Sequence, residues 1–473
     1  MKKIKMKTFL IFFVCLLTIS ISVSPTSLLA QIIAPGGQHS LAICNNDSSV
    51  MAWGRNTEGQ LGNGNNASSN VPVSVSSLTS IIAIADGRDH SIALRNNGTV
   101  WTWGRNIFGQ LGNGTTINSN IPVQVTGLTG IIAIASGSGH HSIALKNDST
   151  VWNWGYNFSG QLGNGTFTNS SVPVQVTSLS GIVAIGAGYW HNLALKNDGT
   201  VWAWGGNQFG QLGDGTTTGG PNWGKSTPVQ VSAPSGITAL AGGAGHSMAL
   251  RNDGTVWMWG DNTVGQYGNG TCNEDHVPVQ VTAFTNITAI ASGGDHNMVL
   301  KNDSTVWACG ANGFGQLGNG TNSFSLVPVQ VSTLTGIVAI AGGEVHSMAL
   351  KSDGTIRDWG SNVDGELGNG NNTSSNIPVQ VQATFCVPTS LPVVVNNANN
   401  DLVISPNPAT DFIYMFFSDE NSNREADIVN VLGETVIRSK NQDKIDISHL
   451  SNGIYFLRAK TGESLTIQKF IKQ

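Results

Sequence analysis

The phrase His-Ser-x-Ala-Leu, or a close variant, returns seven times along this chain, with its histidine at His39, His90, His141, His191, His246, His296 and His346. Successive histidines are 51, 51, 50, 55, 50 and 50 residues apart. A fixed period near fifty residues makes each unit one supersecondary structure that cannot bury its apolar faces alone and must stack on its neighbours. Glycine, at 59 residues, and a charged fraction of only 11% favour short strands joined by tight turns over long amphipathic helices. Within a unit the order is steady. An apolar strand such as Ile182-Val183-Ala184-Ile185 leads to a glycine turn and to the strand His191 to Leu195. Asn197-Asp198-Gly199-Thr200 then marks a hairpin into Val201-Trp202-Ala203-Trp204-Gly205, and after a glycine-rich loop Pro228-Val229-Gln230-Val231 forms a fourth strand. Four strands in each of seven units predict an all-β chain built on a seven-bladed β-propeller. Closure of that ring requires Ile32 to Ala34 and Pro378 to Val381 to lie in the same or neighbouring blades, because an open ring would leave an unpaired edge.

The twelve-residue pattern W-G-x-N-x-x-G-Q-L-G-N-G stands nearly complete at Trp53 to Gly64, Trp103 to Gly114 and Trp154 to Gly165. By this motif the chain resembles the regulator of chromosome condensation repeat family over about residues 32 to 385, and the resemblance implies a seven-bladed propeller. Three departures stand out: Cys309 where the motif has Trp, Tyr267 for Leu, and Arg357 where other units place Trp or Met. They are expected to weaken blades 6 and 7 locally. The founding eukaryotic member of the family works on chromatin and on a small GTPase. Neither role suits an exported acidic propeller, so the resemblance carries the fold and not the activity.

Export is read from the N-terminus. Lys2, Lys3, Lys5 and Lys7 precede the apolar run Phe9 to Leu17, and Ser27-Leu28-Leu29-Ala30 closes a secretory signal peptide over 1–30. No second apolar run is long enough to span a membrane, so a soluble, monomeric mature chain is expected. Residues 31–399 carry 18 acidic against 11 basic side chains, which excludes the basic field a nucleic-acid partner requires. Beyond the leader stand Cys44, Cys272, Cys309 and Cys386, too few for a disulfide scaffold and without a C-x-x-C pair for zinc; most are expected to be packed thiols.

Composition changes again after the repeats. The propeller is assigned to 31–386, a linker to 387–400, and a small β-sandwich domain to 401–473, where 18 of the last 74 residues are charged. Ser405-Pro406-Asn407-Pro408, Val431-Leu432-Gly433, Leu450-Ser451-Asn452-Gly453-Ile454-Tyr455 and the terminal Lys469 to Lys472 resemble, in order and spacing, the C-terminal sorting domain of the type IX secretion system. The resemblance implies that residues 401–473 engage that machinery as an address. It places the protein at the cell surface or outside the cell.

Candidate chemistry is sparse. Seven histidines in one register read as a repeated packing or hydrogen-bonding task rather than a ring of metal ligands. The Trp pairs, such as Trp101 and Trp103, read as blade core. Gly219 to Ser226 obeys the pattern G-x-x-x-x-G-K-S, yet Thr227-Pro228-Val229 continues as a strand where a P-loop needs a helix, so no phosphate site is assigned. No nucleophile elbow and no H-E-x-x-H zinc helix is present, and neither a catalytic residue, a metal nor a cofactor is expected. What leaves the register is aromatic: Tyr156, Phe167, Tyr189, Trp190 and Trp223, all in units 3 and 4. As exposed loop anchors they would bind an unknown protein or a surface glycan. The alternative for Tyr189 and Trp190 is that they plug the axis of the ring. A second functional class, a polysaccharide lyase or hydrolase, would require acids to converge. Asp89, Asp295 and Glu344, each just before its unit's histidine or one residue further, are the candidates for such an acidic entrance.

Overall fold

Each hairpin forms where a short polar turn can take a left-handed backbone. In the second unit Gly98 adopts φ +76°, Thr99 donates to the Asn97 side chain at 2.7 Å, and the strands His90–Arg95 and Val100–Gly104 pair antiparallel with His90 opposite Gly104. Ile81–Asp86 pairs on one side of this hairpin and Ser119–Gln124 on the other, giving a four-stranded sheet in sequence order. Seven such sheets follow one another, over residues 33–74, 81–124, 131–175, 182–230, 237–280, 287–330 and 337–380. The computed structural model describes residues 32–44, 48–137, 139–220 and 222–382, with segments 402–405, 412–417, 424–429, 435–440, 444–450, 453–461 and 464–472. The signal peptide and linker assigned from sequence lie outside these residues.

The W-G-x-N motif earns its asparagine through the loop between the third and outer strands. Asn106 Oδ1 accepts from Leu111 N at 2.9 Å, while its Nδ2 donates to the carbonyls of Thr115 and Ile117 at 3.0 Å each. The outer strands carry Pro72, Pro122, Pro173, Pro228, Pro278, Pro328 and Pro378, which remove a donor from every exposed edge.

Blades are joined by a repeated polar seam. The carbonyl of Gln60 in blade 1 accepts from Trp103 Nε1 at 2.8 Å and from Ser91 Oγ at 2.9 Å, both in blade 2. With the Ser91 proton committed there, His39 Nε2 must donate to Ser91 Oγ at 2.8 Å, which fixes the tautomer. The same link runs from His90 to Ser142, His141 to Asn192, His191 to Ser247, His246 to Asn297, His296 to Ser347 and His346 to Ser40. Seven wholly buried histidines thus form a closed ring of structural bonds. Burial pushes His191, His296 and His346 down to about 3 and His141 to about 4, so these rings are neutral. In every blade but the third the ring rests on a glycine where no side chain fits: a Cβ on Gly243 or Gly293 would stand 2.1 Å from the following histidine's ring.

Blade 7 closes on blade 1 by this same seam. Trp53 Nε1 and Ser40 Oγ donate to the Glu366 carbonyl at 2.7 and 3.1 Å. The first strand, Ile33–Pro35, and the last propeller strand, Ser375–Gln380, therefore lie in neighbouring blades, each within its own sheet. The cysteines depart from the expectation of packed thiols. Cys309 is a buried free thiol, but Cys272 is exposed, and Cys44 is disulfide-bonded to a partner outside the described residues.

Residues 402–472 form two further sheets, one of Leu402–Ser405, Phe412–Phe417 and Lys444–Asp446, the other of Thr435–Lys440, Arg424–Val429, Gly453–Thr461 and Ser464–Lys472. Ile413 and Ile445 from the first share a core with Ala426, Ile428 and Leu457 from the second, which makes a small β-sandwich.

Candidate functional site

Two sets of loops in each blade, between its first and second strands and between its third and outer strands, emerge on the same face of the propeller because the strands alternate in direction. On that face blades 2 to 4 bring six aromatic rings into one chain of contacts. Tyr156 of blade 3 is the hub: it meets Phe108 edge-on at 4.8 Å, Trp190 edge-on at 5.9 Å, Phe158 stacked at 6.4 Å and His140 at 6.4 Å. His140 also packs on Phe108 at 5.4 Å, and Tyr189 on Trp190 at 5.9 Å. Phe158 and Trp190 are exposed, at 46% and 37%, while Phe108, His140 and Tyr156 are half-buried beneath them. Such edge-on and offset contacts hold the rings in place before any partner arrives. The rim is charged. Arg105 lies 5.9 Å above Phe108 and pairs with Asp89 at 3.0 Å. Burial lowers His140 to about 4, so the cluster carries no imidazolium at neutral pH.

Three of the five aromatics singled out in the sequence, Tyr156, Tyr189 and Trp190, belong to this chain of contacts. Tyr189 is buried rather than exposed, with 8% of its surface accessible, and lines a cavity on the propeller axis, the alternative place weighed for it. Burial, and then Glu344, raise its hydroxyl far above the ordinary tyrosine range. Trp223 and Phe167 are exposed, at 45% and 37%, and neither makes a ring contact with the cluster among the described residues. Trp223 has φ +50°, and its carbonyl accepts from Asn207 N at 2.8 Å, where Asn106 N in blade 2 uses the Asn118 side chain; the insertion in blade 4 is tied down by its backbone.

Phe108, His140 and Phe158 are the members that sequence reasoning missed. Phe108 shares its motif slot with Phe209 and Phe314 and so passes for a repeated packing residue. His140 had a visible signal, since ten residues separate Ile131 from His141 where nine separate Ile81 from His90. The proposed acidic entrance is divided. Asp89 is held by Arg105, Glu344 lies 3.7 Å from Arg88, and Asp295, raised by burial, faces His246 and Asp261. Trp101 also differs from expectation: unlike the buried Trp103 it is half-buried, with Arg95 4.6 Å over its ring.

Fold and seams define a seven-bladed propeller whose blades repeat one hydrogen-bonding plan. A family model described as the RCC1-like domain matches residues 130–404, and regulator of chromosome condensation (RCC1) repeats match 47–94, 97–145 and 81–110. The chain belongs to the RCC1-like family. Residues 403–473 match the secretion system C-terminal sorting domain, which indicates export by the type IX route to the cell surface or beyond. No helix among the described residues is long and apolar enough to cross a membrane.

Among curated proteins, the human E3 ubiquitin-protein ligase HERC2 is 28% identical over 150 residues, covering 28% of this chain and 3% of the ligase. The human probable E3 ubiquitin-protein ligase HERC6 is 34% identical over 141 residues, covering 27% of this chain and 13% of that protein. The chain therefore spans a small fraction of the length of these relatives. Among solved structures, Prp20p from Saccharomyces cerevisiae superposes with a TM-score of 0.65 at 23% identity, over 77% of this chain and 89% of that one. Human WBSCR16 gives 0.60 at 23% identity, over 67% and 85%. At these identities the likeness shows the fold alone.

Proposed function

We propose that this chain is an exported binding propeller that grips a protein or a surface glycan outside the cell through the aromatic cluster of blades 2 to 4. The observation that carries this reading is the continuity of the cluster. Six rings from three blades form one surface, with Trp190 and Phe158 exposed at its top and a charged Arg105–Asp89 rim. Large aromatic anchors ringed by polar groups are where binding energy concentrates. The sorting domain supports delivery to the compartment where such a partner would be met.

The test is Trp190→Ala combined with Phe158→Ala in the mature protein, compared with wild type for capture from envelope and host extracts and on glycan arrays. Loss of a buried anchor worth about 2 kcal/mol weakens binding roughly thirtyfold. The melting temperature should barely change, because exposed rings support little core. Retention of every wild-type ligand at full affinity would overturn the proposal. Trp223→Ala, measured alongside, tells whether the inserted loop of blade 4 belongs to the same surface.

A further inference from the structure

The aromatic cluster has a counterpart two blades further round the ring. Phe108, His140, Tyr156 and Trp190 hold repeat positions that Phe209, Gly245, Asp261 and Asp295 hold in blades 4 to 6. The phenylalanine is kept, the histidine gives way to glycine, and the tyrosine and tryptophan give way to two carboxylates. Phe209 and Asp261 close on the bare backbone of Gly245: a Cβ there would stand 2.8 Å from Phe209 Cδ2 and 3.2 Å from Asp261 Cβ. Ala244 N donates to the Gly294 carbonyl at 2.8 Å, which sets Asp295 in the loop alongside. The two halves adjoin. Gly206, three residues before Phe209, lies under Trp190, where a Cβ would stand 2.8 Å from Trp190 Cβ.

The second half is negative and uncompensated. Asp261 is 8% exposed, its Oδ1 accepts from Thr263 N at 2.8 Å, and its Oδ2 reaches solvent with no donor among the described residues. Asp295 lies at the surface, yet partial burial raises its carboxyl, and the Asp261 carboxylate adds to the shift against an opposing His246. The loops of blades 5 to 7 that open on this face hold Asp261, Glu274, Asp295, Glu344, Asp364 and the buried Glu366 without one lysine or arginine. The matching loops of blades 1 to 4 carry three charges of each sign. Of those six acids only Glu344 has a cation near it among the described residues, Arg88 at 3.7 Å. Among the described residues no group of three acids, histidines or cysteines stands ready to hold a metal ion, so an organic cation is the charge that fits.

An aromatic ring beside two carboxylates is the chemistry that takes a guanidinium. The ring attracts the cation, and the planar fork of N–H groups meets carboxylate oxygens in pairs. A neutral sugar brings no charge to this half of the face, and an acidic one is repelled by it. We propose that the partner is a protein segment that sets an apolar side chain on Trp190 and Phe158 and an arginine against Phe209 between Asp261 and Asp295. This rests on the aromatic cluster being the binding surface, and it narrows the partner to a protein that is basic where it docks.

The experiment pans a displayed library of random peptides against the intact mature protein at pH 7.5. Enriched sequences should pair arginine with an aromatic residue or leucine at a short, fixed spacing. A synthetic peptide of that consensus should bind about tenfold more weakly to Asp261→Asn combined with Asp295→Asn, a variant whose melting temperature should match the wild type. Replacing the peptide's arginine by glutamine should cost a similar factor, the two losses should not add, and binding should weaken as salt is raised. Enrichment without basic residues, or no enrichment of any peptide, would overturn the proposal. Full affinity in the carboxamide variant with loss in Trp190→Ala combined with Phe158→Ala would overturn it too, while leaving the aromatic surface standing.

Discussion

Asp358 occupies a slot that six other blades fill with Ala52, Thr102, Asn153, Ala203, Met258 and Ala308. All seven side chains are fully buried there. Where the slot is polar it donates: Thr102 Oγ1 to the Leu111 carbonyl at 2.7 Å, and Asn153 Nδ2 to the Gln161 and Leu162 carbonyls at 3.1 and 3.3 Å. An ionised aspartate can only accept, and neither Asp358 oxygen has a donor among the described residues. Burial, with the Glu366 carboxylate adding to it, holds the Asp358 carboxyl well above the usual range. The sign follows directly. A folded pKa above the unfolded 3.8 means that the native state keeps a proton the unfolded chain releases, so stability falls as pH rises through the folded value. Asp358→Asn supplies the missing donors without a charge. It should stabilise the propeller by about 1–3 kcal/mol at pH 7.5 in denaturant titrations, with the gain shrinking toward pH 4. A destabilised variant at pH 7.5 would show that the carboxylate is better satisfied than its geometry indicates.

At the scale of the element, Tyr267 and Cys309 turn out to be one event. In other seams the leucine of one blade's G-Q-L-G loop lies in the shared core beside the tryptophan of the next blade, as Leu61 does beside Trp103. Between blades 5 and 6 the larger Tyr267 takes the leucine's place and the smaller Cys309 the tryptophan's, both wholly buried in one core. The Tyr267 hydroxyl donates to the Gly260 carbonyl at 2.7 Å, and Cys309 Sγ lies 3.0 Å from the Gln266 carbonyl, the acceptor that indole nitrogens use elsewhere. The two changes run in opposite directions, the larger side chain on one side of the seam facing the smaller on the other within one buried core. Cys309→Trp alone should overpack the seam and cost about 1–3 kcal/mol, and Tyr267→Leu alone should open a cavity of similar cost. The double variant should recover most of both losses; strictly additive losses would refute the compensation. This limit of legibility is physical. The period exposes the blades because each unit repeats its own strands and turns, but partners 42 positions apart meet only once the blades are stacked. Tyr156 and Trp190 were visible because they broke the register, whereas Phe108 was hidden by keeping it. The direction of Tyr189, toward the axis rather than solvent, depends on loop geometry that no spacing reports.

For the whole molecule, the ring and the C-terminal sandwich are two separate pieces of cohesion. Among the described residues no strand of 402–472 pairs with a propeller strand, and the sandwich core is drawn from residues 413–457 while the propeller's core clusters end at Val381. The seam from blade 7 to blade 1 repeats the other six through Trp53, Ser40 and His346, all residues of the propeller itself. Since the cooperativity of a closed repeat array lies in its inter-blade contacts, removing a body that contributes none of them should leave unfolding unchanged. Delivery is another matter, because the match to a sorting domain covers 403–473. Deleting 401–473 in the producing cell should therefore shift the melting temperature of the purified propeller by less than about 2 °C, within the range of a change of roughly 1 kcal/mol or less. The same truncated chain should accumulate in the periplasm and disappear from the surface and medium, as fractionation and immunoblotting would measure. A truncated protein that still reaches the cell surface in normal amount would show that the address lies in the propeller. A propeller that melts many degrees lower without the module would show that the two bodies share stability after all.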